Sequence, residues 1–245
     1  MQERTSLPNI DLPPVAILAG GLATRLRPLT ENIPKSLLPI NGRPFIDHQL
    51  RLLRRAGIRQ VVLCVGFLGQ QIIEYVGNGS RFGLHVRYSS EGERLLGTGG
   101  AIKQALPLLG PEFFVLYGDS YLECDYRAVF AAFRASCRPA LMTVFRNENQ
   151  WDTSNVEFSN GSIRAYSKQQ RTPSMRHIDY GLGLFRAAVF ADLPPGLPLD
   201  LAAIYQNLLQ NDQLAGYEVK TRFYEIGSRQ GIEELSQYLG QQAAV

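Results

Sequence analysis

The chain has 245 residues, 45% of them hydrophobic and 19% charged, with 23 glycines and 14 prolines, an ordinary globular composition that excludes disordered, collagen-like and coiled-coil chains. Its 25 Lys and Arg against 22 Asp and Glu leave a net charge of +3, too small for a general nucleic-acid or membrane-surface binder, so any bound anion must be met by locally placed cations. Cys64, Cys124 and Cys137 are irregularly spaced without a CxxC, which argues against a disulfide framework or a cysteine zinc site and for a reducing cytoplasm.

Residues 1–14 (MQERTSLPNIDLPP) are polar and proline-bearing and have no apolar segment of the kind an export signal carries, so they read as a flexible, disordered or loosely docked tail. Nowhere does an apolar run approach the length of a membrane span. Val15–Ala19 is a short continuous apolar run ending in Gly20-Gly21, the pattern of a strand buried on both faces. From Pro44, Phe45, Gln49, Leu52, Leu53 and Ala56 recur at helical spacing up to Gly57, and Val61–Val65 is the next strand, giving a right-handed β-α-β start.

The alternation continues with a helix over Gly69–Val76, a strand over Leu84–Tyr88, a helix over Ala101–Leu109 opened by GTGG, and a strand over Phe113–Tyr117. A helix over Asp125–Ala135 and a strand over Ala140–Phe145 follow. Antiparallel strands are then expected at Asn155–Phe158, Gly161–Tyr166 and Ile178–Phe185, the first two joined by an Asn160-Gly161 turn. Helices over Leu199–Leu209 and Gly231–Leu239 flank a last short strand, Phe223–Ile226. The fold class is therefore α/β, a single-domain, Rossmann-like, doubly wound sheet with a mixed edge.

In such a sheet the ligand binds beyond the carboxyl ends of the strands. After the first strand, AGGLATRLRPLTENIPKSLLP sets two glycines beside Arg25, Arg27 and Lys35, the make-up of an anion-binding turn, although neither GxxxxGK[ST] nor GxGxxG is present. At EGERLLGTGG, Gly97, Gly99 and Gly100 leave room for a flat base, and Glu91 can accept from a base N–H. Asp119 and Glu225 each follow a strand and can converge on one cation, for which two oxygen ligands suit Mg²⁺; Asp125 and Asp152 are nearby competitors. His48, His85 and His177 have no zinc spacing.

The string from Ala19 to Pro44 closely resembles the signature loop of the sugar-1-phosphate nucleotidylyltransferases, approximately GG-x-G-T-R-L-x-P-L-T-x-x-x-P-K-x-L-x-P-V. Phe67 to Gly110 looks like the same stretch of bacterial heptose-1-phosphate guanylyltransferases and N-acetylmuramate-1-phosphate uridylyltransferases, and FVLYGDS and FYEIGS match two later motifs. The likeness implies a nucleotide-diphospho-sugar transferase fold and Mg²⁺-dependent condensation of an NTP, GTP or UTP, with a sugar 1-phosphate. Residues 15–245 would form one catalytic domain, since only 20 residues follow Glu225.

By the same resemblance Arg25, Lys35 and Lys168 are catalytic, and Ala19, Gly20, Gly21, Thr24, Glu91, Gly97, Thr98 and Gly99 bind the nucleotide. Asp179, Tyr180 and Gly181 line the sugar, with Trp151, Asn155 and His177 near it, and Asp119 and Glu225 hold the metal. The chain departs from the pattern at Ala23, where glycine is usual, at Ser167, where glutamate precedes the lysine, and at Glu225, where aspartate is usual. The partners implied are the two small substrates, with no nucleic acid or membrane; homo-oligomerisation stays open. Two other readings share such a sheet: a metal-dependent glycosyltransferase, which usually carries a DxD absent here, and a non-catalytic nucleotide-sugar-binding protein, which would have no need of Arg25, Lys35 and Asp119.

Overall fold

The computed structural model describes residues 11–92, 95–194 and 196–243. In chain order the strands are β1 (Val15–Leu18), β2 (Pro39–Ile40), β3 (Arg43–Pro44), β4 (Gln60–Val65), β5 (His85–Ser90), β6 (Glu112–Tyr117), β7 (Ser120–Tyr121), β8 (Ala140–Arg146), β9 (Val156–Ser159), β10 (Ser162–Tyr166), β11 (His177–Arg186), β12 (Leu214–Val219) and β13 (Tyr224–Glu225). The α-helices are α1 (Phe45–Arg55), α2 (Gly69–Val76), α3 (Gly97–Leu109), α4 (Tyr126–Ser136), α5 (Leu201–Gln210) and α6 (Arg229–Ala243).

Nine strands form one mixed sheet. Its parallel part runs β6-β1-β4-β5, with Val15, Ala16 and Ile17 of β1 wholly buried between both neighbours. This is why β1 is a continuous apolar run rather than an alternating one. The long strand β11 is antiparallel to β6 on one side and to β8 on the other, and β12 closes that edge parallel to β8. The β9–β10 hairpin pairs with the start of β11 through Val156 and His177. Its turn holds Asn160 at φ 49° and Gly161 at φ 73°, the two positive values that an Asn-Gly hairpin turn requires.

Two apolar layers cover the sheet. On one face α1, α2 and α4 set Ile46, Leu50, Ile72, Val129 and Phe133 against Ile17, Leu63 and Phe114. On the other, α3 and α5 set Ile102, Ala105, Ile204 and Tyr205 against Ala16, Val62 and Phe113. A smaller cluster docks α6 by Leu235 onto Ile40, Phe45, Tyr121 and Ile226, which fixes β7 and β13 beside the sheet. Among the described residues no helix is long and apolar enough to cross a membrane.

Three expectations are corrected. Strand β12 is absent from the sequence reading because Gly216 interrupts its apolar pattern; a side chain there would run into the Phe158 ring, 2.7 Å from an added Cβ. The GTGG string is the first turn of α3 itself, not a loop before it. The tail expected over residues 1–14 ends earlier, since Leu12 is buried in the core and the Pro14 carbonyl accepts from the Phe114 N–H; residues 1–10 lie outside the described part.

Gly183 sits where β11 passes beneath α5, and a Cβ there would lie 2.0 Å from the Tyr205 hydroxyl oxygen. Gly183→Ala is expected to destabilise the protein by about 1–3 kcal/mol through overpacking, and adding Tyr205→Phe to recover much of it. Urea unfolding of the single and double variants checks this, and a double variant no better than the single would refute it.

Candidate active site

Strands β1 and β6 are parallel neighbours that end on the same side, and the segments after them, with that after β5, line a cleft of about 240 Å³. Ala19, Gly20 and Gly21 line it from β1, Lys35 and Ser36 from the first loop, Glu91, Gly97 and Thr98 from the β5–α3 segment, and Tyr117, Gly118 and Asp119 from β6. Gly20 is required by close approach: an added Cβ would stand 2.4 Å from Glu91 Oε1. Beyond it Ala23 adopts the left-handed conformation, φ 49°, at the position where the signature has glycine. Its carbonyl accepts from Leu26 N–H at 3.1 Å and Thr30 Oγ1 at 2.8 Å, which hold a residue that pays about 1 kcal/mol for lacking glycine's freedom.

The charged residues converge at the mouth. Lys35 Nζ lies 2.7 Å from Asp119 Oδ2, both side chains being mostly buried. Strand β13 runs beside β7 with Glu225 opposite Ser120, and the Ile226 N–H donates to the Asp119 carbonyl at 2.9 Å, so Asp119 and Glu225 are neighbours. A methyl added at Gly227 would lie 3.3 Å from Glu225 Oε1 and 3.4 Å from Arg25 Nη2, which places Arg25 across from that carboxylate. Burial pushes the Glu225 carboxyl above its usual range, Asp119 and Asp152 push it further, and Arg25 and Lys35 oppose them. The fully buried Gln49 fixes the turn between β6 and β7, donating to the Tyr117 and Ser120 carbonyls at 3.1 and 2.8 Å. Asp125 is spent as the α4 N-cap, on the Arg127 and Ala128 amides.

No group of three or more His, Cys, Asp or Glu side chains among the described residues could hold a metal. Asp119 and Glu225 fit Mg²⁺ nonetheless, because that ion needs few carboxylates when phosphate oxygens and waters complete its shell.

At the β5–α3 side of the cleft, Glu91 Oε2 accepts the Leu96 N–H at 2.7 Å, and burial pushes its carboxyl up against that bond. Gly99 is corrected: its N–H is used on the Leu199 carbonyl at 2.8 Å, as is that of Gly100 at 3.3 Å, and Gly99 is buried rather than at the cleft surface. Thr98 lines the cleft, but its hydroxyl bridges Asp200 Oδ1 and the Leu201 N–H. Thr24 is exposed on the short 3-10 turn and does not line the cleft. Two polar cleft residues escaped the sequence reading, Ser36 and Tyr117, whose buried hydroxyls have no partner among the described residues, and so did the apolar Leu18, Leu95 and Ala101. The lysine beside Ser36 and the Gly-Asp after Tyr117 drew the attention instead.

On the opposite side a bulge in β11 puts Gly181 at φ 93°, where an added Cβ would stand 3.4 Å from Ser120 Oγ and from the Tyr117 ring. Asp179 is half-buried and accepts from the Gly181 N–H at 3.0 Å; burial pushes its carboxyl up and the Lys168 charge opposes this. Lys168 Nζ stands 5.6 Å from the Tyr117 ring centre, so Lys168, Asp179 and Gly181 do come together. Tyr180 does not join them: strand alternation turns it to the other face, against Phe145 and Phe223. Asn155 acts one step back, its Oδ1 accepting the Asp179 N–H at 2.9 Å. His177 is buried against Phe158 and Glu218 in the sheet.

The nucleotidyl transferase family model matches residues 15–170. The chain is similar to the N-acetylmuramate alpha-1-phosphate uridylyltransferase of Neisseria meningitidis serogroup B, 30% identical over 91% of this chain and 97% of that one. It is also similar to the D-glycero-alpha-D-manno-heptose 1-phosphate guanylyltransferase of Campylobacter jejuni, 41% identical over 44% of this chain and 48% of that one. In fold it resembles the crystal structure of HddC from Yersinia pseudotuberculosis, with a TM-score of 0.78 at 21% identity over 93% of this chain and all of that one.

Burial holds the His177 pKa below its usual 6.5, with Glu218 pulling the other way. The unfolded chain therefore takes up that proton first, and the stability due to the neutral ring is complete above pH 6.5 and is lost as pH falls through the lowered value. Stability measured by urea at pH 7.5 and 5.5 is expected to fall more in the native protein than in His177→Gln, and equal falls would contradict this.

Proposed function

The chain belongs to the nucleotidyl transferase family and is an enzyme of its sugar-1-phosphate nucleotidylyltransferase type, and from that premise we propose how its own residues divide the work. The observation that carries the reading is the meeting of two cations, Arg25 and Lys35, with two carboxylates, Asp119 and Glu225, at the mouth of one cleft. The NTP lies over Ala19–Gly21 with its base toward Glu91, Gly97 and Thr98, and the sugar 1-phosphate enters from the side of Lys168, Asp179 and Gly181. Relatives of the chain act with UTP or GTP, and one of these two is the proposed nucleotide.

A phosphate oxygen of the sugar 1-phosphate forms a bond to the α-phosphorus of the NTP, and the bond from that phosphorus to the bridging oxygen breaks, the electron pair leaving with pyrophosphate. The nucleophile is already an anion, so no general base is needed. The barrier is electrostatic: two unit charges about 5 Å apart repel by roughly 3 kcal/mol at an effective dielectric near 20, and several such pairs meet here. Arg25 faces the β- and γ-phosphates and stabilises the departing pyrophosphate. Lys35, held at the cleft by Asp119, serves the α-phosphate and the incoming phosphate, and Lys168 orients the latter.

The family is typically Mg²⁺-dependent, and Asp119 and Glu225 would hold the ion, which supplies charge neutralisation on the phosphates when bound. Residues 15–245 are read as one catalytic unit, working in a reducing cytoplasm.

Arg25→Ala is expected to lower turnover by about two orders of magnitude or more while leaving the unfolding transition unchanged, because the exposed side chain carries little of the core. Pyrophosphate release across four NTPs and a series of sugar 1-phosphates measures this and names the substrate pair. Near-native release by the variant would remove Arg25 from the reaction.

A further inference from the structure

Helix α3 opens with Gly97, Thr98, Gly99 and Gly100, of which Gly97 and Thr98 line the cleft. Glycine leaves the backbone free to take other conformations, so this is the weakest turn of the helix, and Leu96 before it offers no capping side chain. A turn of this kind does not hold its own place.

The hold comes from the residues that open α5. Leu199 donates its N–H to the Leu96 carbonyl at 2.8 Å, and its own carbonyl accepts from the Gly99 and Gly100 amides at 2.8 and 3.3 Å. Asp200 caps α5, its Oδ1 accepting the Ala202 N–H at 3.0 Å. The same oxygen accepts the Thr98 hydroxyl at 3.0 Å, and that hydroxyl in turn accepts the Leu201 N–H at 2.8 Å. One carboxylate oxygen thus starts one helix and ties down the start of another.

The glycines are shaped to this contact. An added Cβ would stand 2.7 Å from the Leu199 carbonyl oxygen at Gly97, 2.9 Å from the Leu197 carbonyl oxygen at Gly100, and 2.9 Å from Ile204 Cδ1 at Gly99. They are required by the approach of residues 197–204, whatever the cleft holds. The Leu96 N–H goes to Glu91 Oε2 at 2.7 Å, so the hold continues from Leu199 through Leu96 to a carboxylate that also lines the cleft.

We infer that Asp200 is a positioning residue for the nucleotide: acting through Thr98, it fixes the turn against which the NTP is seated. Asp200 does not itself line the cleft. This rests on reading Glu91, Gly97 and Thr98 as the nucleotide end. The physical ground is pre-organisation, since a turn already fixed loses no freedom when the NTP binds, whereas a loose one must first be ordered, which weakens binding. The rest of the site is held by other bonds, the Asp119 turn by Gln49 and Asp179 by Asn155, so the loss of this hold falls on one substrate only.

Asp200→Ala is expected to raise the KM for the NTP, UTP or GTP according to which the native protein uses, about fivefold or more, with kcat and the KM for the sugar 1-phosphate within about twofold. Asp200→Asn keeps an acceptor oxygen at the same reach and should stay close to native. Asp200→Ser separates the two duties of the side chain. Serine caps a helix as well as aspartate does, so urea unfolding should match the native transition, but its hydroxyl stands closer to the backbone and leaves Thr98 unheld, so the NTP KM should rise as in the alanine variant. Thr98→Val should raise it too, and adding Asp200→Ala to Thr98→Val should bring no further rise, as for two partners in one contact. A native NTP KM in Asp200→Ala or Asp200→Ser, an Asp200→Asn no better than Asp200→Ala, an equal rise in the KM for the sugar 1-phosphate, or a further rise in the double variant would each overturn the inference while pyrophosphate release still upheld nucleotidyl transfer. Failure of every NTP and sugar pair to release pyrophosphate in the native protein would instead overturn that underlying reading.

Discussion

Lys35 and Asp119 are 84 residues apart in sequence and 2.7 Å apart in space, and the arrangement of the site follows from bringing them there. The ammonium comes from the long loop after β1 and the carboxylate from the end of β6. The pair can form only because those two strands lie side by side and in parallel, ending at the same level, Leu18 opposite Tyr117. The same turn that carries Asp119 receives β13, which brings Glu225 and, across Gly227, Arg25. Each carboxylate is thereby matched by a cation from the first loop. Without Arg25 and Lys35 nothing would oppose the upward push that burial and the neighbouring Asp119 exert on the Glu225 carboxyl.

Rigid strands alone do not place loop side chains, and the structure spends buried amides and hydroxyls on that task. Gln49 ties down the β6–β7 turn, Asn147 the loop before β9, and Asn155 the bulged part of β11. Thr98 with the Leu199 carbonyl fastens α3 to the start of α5. In each case a side chain satisfies backbone groups that a loop would otherwise leave to water, so the loop is ordered without a core of its own. The functional surface can then be polar and open while its position is fixed.

How far this could be read from sequence differs from residue to residue. Strands β1, β4 and β6 were legible because burial on both faces writes an uninterrupted apolar run, and the β9–β10 turn because only positive φ explains Asn-Gly. The placing of Lys35 and Asp119 at one cleft was legible from the rule that ligands sit past strand ends; Glu225 comes beside Asp119 differently, from within β13, which pairs with β7 outside the main sheet. Strand β12 was hidden by a glycine chosen for the ring it lies under, a tertiary reason with no local trace. Tyr180 was misplaced because a motif read as a string ignores that neighbouring strand residues face opposite ways; only Asp179 and Gly181 share the site's side. Gly99 was misread because nothing local shows that the Leu199 carbonyl, 100 residues later, takes its N–H. Ser36 and Tyr117 carry no motif, and their orphaned hydroxyls exist only in three dimensions.

The departures at Ala23 and at Glu225 lie on the two sides of Arg25. Ala23 keeps the left-handed backbone that glycine would adopt more easily, so the loop's path is preserved and the burden falls on the two hydrogen bonds to its carbonyl. Glu225 adds a methylene to the usual aspartate and so carries its carboxylate further from β13, toward Gly227 and Arg25. Arg25 follows Ala23 by two residues in a turn closed on itself through Thr30 and Leu26, and it stands across Gly227 from Glu225, so the turn that carries Ala23 also fixes the cation facing the longer acid.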